Sequence, residues 1–336
     1  MNAEYVVNGL LGACLGDALG VPVEFSTRWE RDRDPVVDMR SYGTYYQPRG
    51  TWSDDSSLML CLADALCGGF DLEQIAAKFL AWYTENLWTA RGTVFDIGIA
   101  TRRALMKLEA GNSPLTSGGT DEYSNGNGGL MRTLPLAFQY WRHRDQQRLL
   151  EEVHQVCGIT HAHPRSQLAC GIYVFFAIQL QQGMAPMRAY EATIAWANTT
   201  YNHDSFAAEL HHFERILSGK LPHLDRGAIA SGGYVVHTLE ASLWCLLNSQ
   251  SYLEAVLKAV NLGGDTDTTA TVTGGIAALA FGLGDVPADW WQTLARYKDI
   301  VALGQQLGQA ISENPYPLRG VPIEYTDPTE PVALED

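Results

Sequence analysis

The chain has 336 residues, of which 46% are hydrophobic and 18% charged, and a formal net charge of −15. That is the balance of a globular protein with a large core, not of a disordered chain. So much negative charge repels phosphate backbones and anionic lipid surfaces, which excludes nucleic-acid and membrane partners. Cys14, Cys61, Cys67, Cys157, Cys170 and Cys245 are scattered without a C-x-x-C pair and read as buried thiols of a protein in the reducing cytoplasm.

The opening stretch MNAEYVVNGLLGACLGDALG lacks a basic start followed by an apolar core, so it reads as a helix of the fold and not as a signal peptide. Its Gly12, Gly16 and Gly20 recur at steps of four, a smooth ridge that lets another helix come close. After a loop near 40–53, GTWSDDSSLMLCLADAL begins a helix with Ser53 in a capping position and Asp54 and Asp55 in the first turn. In DLEQIAAKFLAWYTENLW, residues Leu72, Ile75, Phe79, Trp82 and Tyr83 share one helical face. FDIGIATRRAL sets Asp96 in apolar surroundings. A loop near 112–130 contains SNGNGGLMRTLPLAF, in which Asn125, Gly126, Asn127, Gly128 and Gly129 lead into an apolar helix with Arg132 one turn inside. THAHPRSQLA brings His161 near His163.

A further loop near 218–233 precedes the helical SYLEAVLKAVNLGG, and LGGDTDTTATVTGG then places Asp265 and Asp267 at another helix start. The uncharged run from Thr268 to Gly284 has 17 residues. It reads as a buried helix, since a membrane span needs about 20 predominantly apolar residues. NPYPLRGVPIEYTDPTEPVALED is rich in proline and acid and reads as extended. Alternating strand patterns are nearly absent. The expectation is an all-α, compact single-domain helical bundle over 1–312 with an extended acidic, Pro-rich tail over 313–336.

Capping alone accounts for either acidic pair taken singly. Together the two helix starts supply four carboxylates and several hydroxyls, and carboxylates held close need a cation between them or a shared proton. Such hard oxygen donors, with no adjacent cysteine or histidine, suit Mg2+, Mn2+ or Ca2+ and not zinc. An EF-hand is excluded, because Ala270 stands where its glycine belongs and Ile276 where its last glutamate belongs. The two stretches therefore read as halves of one metal site. The glycine stretch has two readings, a phosphate cradle or a plain loop and helix cap. It has no G-K-[ST], and Met131 occupies the third glycine position of G-x-G-x-x-G. Two readings are open for Asp96 as well, an acid or base and a helix cap. An H-x-H pair is more often scaffold than ligand.

Taken together and in order, LGACLGDALGVPVEF, GTWSDDSSL, FDIGIATRRAL, SNGNGGLMR, ITHAHP, SGGYVVHTLEASLW and LGGDTDTTATVTGGIAAL resemble the ADP-ribosylglycohydrolase family, in particular its dinitrogenase reductase-activating, arginine-directed branch. The likeness runs from about 8 to 285 and leaves out 200–225 and the tail. It implies an all-α fold with a dinuclear metal cleft holding two divalent cations, Mg2+ or Mn2+. Ser53, Asp54 and Asp55 fall on the family's T-D-D ligands, and Asp265, Asp267 and Thr268 on its D-x-D-T ligands. Glu24 matches the glutamate ending the first motif, and Asp96 the aspartate used near the scissile bond; with Asp55 and Asp267 these form the implied catalytic set. Asn125, Asn127, Gly128 and Gly129 lie on the diphosphate and ribose loop, with His161 and Tyr234 lining the cleft. Ser53 departs from the usual threonine but keeps the hydroxyl. Gly129 stands where serine or alanine is common.

The implied activity is metal-dependent hydrolysis that releases mono-ADP-ribose from protein side chains, foremost from arginine, reversing an endogenous or toxin-imposed modification. The partner is an ADP-ribosylated protein, and the enzyme is a cytoplasmic monomer. The alternative is a relative without turnover that binds ADP-ribose or serves a structural role. The full set of mutually repelling acids argues against it.

Overall fold

The glycine ridge at the N-terminus determines how the helices assemble. The structure is a computed structural model that describes residues 3–141 and 145–313. Its helices in chain order are α1 (Ala3–Gly20), α2 (Arg28–Arg33), α3 (Asp54–Leu66), α4 (Leu72–Glu85), α5 (Ile99–Glu109), α6 (Pro114–Ser117), α7 (Leu134–Gln139), α8 (Gln146–Gly158) and α9 (Pro164–Gln181). They continue with α10 (Pro186–Thr200), α11 (Asp204–Ala207), α12 (Glu214–Leu217), α13 (Val235–Leu247), α14 (Tyr252–Val260), α15 (Thr266–Phe281), α16 (Ala288–Thr293) and α17 (Tyr297–Glu313). Among the described residues there is no strand, only isolated bridges such as Gly126 with Tyr234. The expected all-α bundle is what forms. The expected tail lies, from 314 on, outside the described residues.

α1 lies directly against α15. A Cβ built on Gly16 would stand 2.1 Å from the Ala270 carbonyl oxygen, and one on Gly20 would stand 2.3 Å from Asp267 Cα. From the other side, a Cβ on Gly274 would meet the Gly12 carbonyl at 2.2 Å. No side chain fits at these crossings, so glycine is required despite its cost of about 1 kcal/mol in helix propensity. Hydroxyls fasten α1 further: Thr266 of α15 donates to the Gly20 carbonyl at 2.8 Å, and Tyr252 of the neighbouring α14 donates to the Gly12 carbonyl at 2.7 Å. Within α15, Thr271 and Thr273 donate to the carbonyls one turn back, which lets threonines occupy a fully buried helix.

The uncharged run from Thr268 lies in this helix, as expected. Ala3–Val23 is also long and apolar enough to cross a membrane, but 83% of that window is buried inside the protein, as in a core helix. The shared face of α4 packs into the core through Ile75, Phe79 and Trp82. All six cysteines are free, and Cys67 alone is only half-buried.

One local expectation fails. The segment around Arg132 is not helical: a 3-10 turn at Asn127–Gly129 is followed by turns, and α7 begins only at Leu134. Pro135 explains the delay, because it has no N–H to donate to the Met131 carbonyl and so suits only the first turn of a helix.

Candidate metal centre

The N-terminus of α3 is held by a carboxylate from another helix. Asp17 of α1 is fully buried and accepts from the Ser53 N–H at 3.0 Å, the Ser56 N–H at 3.0 Å and the Ser56 hydroxyl at 2.6 Å. Ser53 caps the helix by accepting from the Asp55 N–H, and its hydroxyl donates to Asp55 Oδ2 at 3.1 Å. With the free N–H groups satisfied in this way, Asp54 and Asp55 project from the first turn. At the start of α15 the arrangement differs. Asp265 occupies the cap position but makes no side-chain capping bond, so capping does not account for its carboxylate. Thr268 Oγ1 donates to Asp55 Oδ2 at 3.3 Å, which joins the two helix starts.

Two further acids arrive on irregular backbone. Glu24 follows the 3-10 turn Val21–Val23, and the residues after it are tied to the Asp265 segment by Phe25 N–H to Gly264 O and Gly264 N–H to Ser26 O, both 2.7 Å. Asp96 has φ +59, in the left-handed region, and Gly98 takes the N-cap position of α5; the helix-cap reading of Asp96 therefore fails. Carboxylate oxygens of Glu24, Asp96 and Asp267 lie within 4.8 Å of one another, and so do those of Asp54, Asp55 and Asp96. Asp96 belongs to both triads.

So many buried carboxyls raise one another's pKa. Burial first, then the charge of Asp96, pushes Glu24 up to about 9. Asp54, Asp55 and Asp267 are pushed well above the carboxylate range, again chiefly by burial, and Asp96 is raised for the same reason. Asp17 rises to about 6, its burial partly offset by the Ser56 and Ser53 donors.

Glu24 Oε2, Asp55 Oδ1, Asp265 Oδ1 and Asp267 Oδ2 are buried without a hydrogen-bond partner. Orphaned carboxylate oxygens are costly unless a cation takes them up, and four on converging segments form a hard-oxygen donor set. The residues fit a divalent metal site. Ser53, Asp54, Asp55, Asp265, Asp267 and Thr268 all lie at this centre, joined by Glu24 and Asp96.

The glycine loop borders the centre. Asn127 Nδ2 donates to Asp265 Oδ2 at 2.8 Å and to Thr238 Oγ1 at 2.9 Å, so its side chain links the loop to the acids. Asn125 faces inward instead, donating to the Glu122 carbonyl and accepting from Ser166. The space beside Gly128 is filled by His161: a Cβ there would lie 2.8 Å from its Cε1, and one on Gly129 would lie 2.7 Å from Cys157 Sγ. The ring of His161 is buried, bonded to Thr160 Oγ1 at 2.7 Å, and held neutral by burial, with its pKa down to about 3. Close packing on a histidine thus adds to ligand approach as a reason for these glycines. His163 caps α9 as scaffold. Tyr234 sits at the start of α13, half-buried beneath the Arg165 guanidinium, 5.9 Å from its ring centre.

Sequence reasoning missed two residues here and misplaced a third. Asp17 was visible only as the single charge in an otherwise apolar, glycine-ridged run. Tyr45, whose phenol donates to Asp96 Oδ1, gave no signal at all. Arg132 is fully buried and donates to the carbonyls of Gly128, Val156 and Cys157 and to Thr160 Oγ1, so it braces the loop from behind.

An all-helical bundle with a buried carboxylate cage beside a glycine loop defines a metal-site protein of the glycohydrolase type. Comparison with known proteins gives the family: the ADP-ribosylglycohydrolase family model matches residues 2–316, and the chain belongs to that family. The match takes in 200–225, which the motifs alone had left out. The chain is 31% identical over 304 residues to ADP-ribosylarginine hydrolase Tri1 of Serratia proteamaculans, covering 89% of this chain and 77% of that one. It is 34% identical over 301 residues to Tri1 of Pseudomonas putida, with 89% and 76% covered. The ADP-ribosyl-[dinitrogen reductase] glycohydrolase of Rhodospirillum rubrum is 28% identical over 296 residues, with 87% and 90% covered. A solved structure described as an ADP-ribosylglycohydrolase-related protein complex superposes with a TM-score of 0.75 at 31% identity, over 92% of this chain and 98% of that one. The chain is an enzyme of the glycosidase type.

Proposed function

We propose that this enzyme releases mono-ADP-ribose from arginine side chains of modified proteins, with two divalent cations, Mg2+ or Mn2+, held among the clustered carboxylates. The observation that carries this reading is the position of Asp96, shared by both triads and reached from outside them by a neutral donor. When bound, the cations would neutralise the acids, accept the ribose hydroxyls and diphosphate, and lower the pKa of an attacking water. Ser53, Asp54 and Asp55 from α3 and Asp265, Asp267 and Thr268 from α15 would hold them, with Glu24 closing one side.

The chain's own residues do the rest. An ionised Asp96 pairs with the cationic guanidinium of the leaving arginine through charge-assisted hydrogen bonds and orients it. Asn127 and the Gly128–Gly129 turn border the diphosphate and ribose, and Tyr234 lines the cleft. The names of the two Tri1 relatives, ADP-ribosylarginine hydrolases, support arginine as the linkage. On this reading the enzyme is a cytoplasmic monomer that reverses an endogenous or toxin-imposed modification.

The test is incubation with Mg2+ or Mn2+ and, separately, arginine-, serine- and cysteine-linked ADP-ribosylated proteins. Release from arginine ahead of serine is expected. Equal release from serine overturns the linkage, and ADP-ribose binding with no release from any substrate establishes a binding protein instead.

A further inference from the structure

We infer that Tyr45 is the positioning residue for Asp96, and that the segment Gly43–Thr44–Tyr45 braces Asp96 against Glu24. The inference rests on the role given to Asp96 above. Three successive residues of this exposed-side loop each hold a different part of the centre. A Cβ on Gly43, which has φ +66, would lie 1.8 Å from the Pro22 carbonyl oxygen, so only glycine lets the loop press on the segment before Glu24. The Thr44 hydroxyl donates to the Glu24 carbonyl at 2.8 Å. The Tyr45 phenol donates to Asp96 Oδ1. Its ring also packs on Phe95, with 5.3 Å between ring centres, so it grips the residue before Asp96 as well.

Asp96 needs such support. Its backbone is left-handed and outside any helix, and the carboxyl oxygens of Asp267 and Glu24 lie within 4.8 Å of its own. Tyr45 is the neutral donor of that set, and it occupies Oδ1. A phenol suits this place because it brings a proton to the carboxylate without adding a charge that would compete with the cations.

Tyr45→Phe removes the hydroxyl and keeps the ring on Phe95, so the protein should fold. With Mn2+ and an arginine-linked ADP-ribosylated protein, kcat should fall by about tenfold to a hundredfold, the range of one hydrogen bond to a charged group. KM and the Mn2+ affinity from calorimetry should stay within about threefold of wild type. Placed on Asp96→Asn, the same change should lower the residual rate by no more than about twofold, since the group it positions is already gone. Wild-type kcat in Tyr45→Phe, or losses that multiply in the double variant, would overturn the inference alone. Full activity of Asp96→Asn by itself would overturn the role of Asp96, and this inference with it.

Discussion

Asp17 Oδ2 accepts from both the N–H and the hydroxyl of Ser56, at 3.0 and 2.6 Å, so the first turn of α3 hangs from a carboxylate on α1. In Asp17→Asn the amide nitrogen would point a donor at donors if it replaced Oδ2, and at the Ser53 N–H if it replaced Oδ1. Stability should fall by about 1–3 kcal/mol, the cost of leaving buried polar groups unpaired. Mn2+ affinity should fall about tenfold or more, because Asp54 and Asp55 lose their fixed start. Denaturant unfolding and Mn2+ calorimetry measure the two effects, and an unchanged Mn2+ affinity would separate Asp17 from the metal site.

The ridge on α1 predicts a graded response to one added methyl. Gly16→Ala and Gly20→Ala should each cost about 1–3 kcal/mol or more, as overpacking against backbone does. Gly20→Ala should also weaken cation binding, since its Cβ would press on Asp267. Gly284→Ala, where a Cβ meets nothing within 4 Å, should stay within about 0.5 kcal/mol of wild type. Equal melting temperatures for all three variants would contradict the close crossing.

The raised carboxyls give metal-free protein a definite pH dependence. Glu24 at about 9 and Asp17 at about 6 hold more protons folded than unfolded. Their contribution to stability therefore falls as pH rises from about 4 toward those values. In EDTA the protein should melt higher at about pH 5.5 than at about pH 8.5. Stabilisation by Mn2+ should grow across the same interval, because cation binding displaces fewer protons at higher pH. An Mn2+ shift of the same size at both pH values would mean the acids are already ionised.

Asp96→Asn keeps the shape and the φ +59 backbone but loses the charge. Hydrolysis of the arginine-linked substrate should fall by roughly a hundredfold or more, the range of a general acid or base, while affinity for free ADP-ribose survives. Single-turnover release paired with product calorimetry distinguishes the two.

Gly128→Val should lower ADP-ribose affinity by forcing His161 aside, and should cost stability for the same reason. In His161→Ala the collision partner is gone, so Gly128→Ala should be far milder there than in wild type. Additive losses in calorimetry and melting would show that the loop and the ring are independent.

The acidic helix starts were legible because their chemistry is local: Ser53, Asp54 and Asp55 sit together, as do Asp265, Asp267 and Thr268, each just ahead of an apolar run. The helix-to-helix crossing was legible too, since Gly12, Gly16 and Gly20 keep one face bare. What sequence could not reveal were partnerships made between distant parts of the chain. Tyr45 reaches Asp96 across 51 positions and Asp17 reaches Ser56 across 39, and no spacing rule marks either pair. Arg132 was misread because glycine followed by an apolar run suggests an immediate helix, while Pro135 defers the start to Leu134.

The contacts of α1 with α14 and α15 also fix when the cage can exist. Tyr252 bonds Gly12 across 240 positions and Thr266 bonds Gly20 across 246, so the two acidic helix starts meet only after most of the chain has been made. During synthesis Asp54 and Asp55 emerge early and wait, solvated, for partners that arrive near the end. Long-range closure of this kind is slow compared with forming the helices themselves. Uptake of the proposed cations would thus be a late event in the life of the chain, and a bound ion would certify that both ends have found each other.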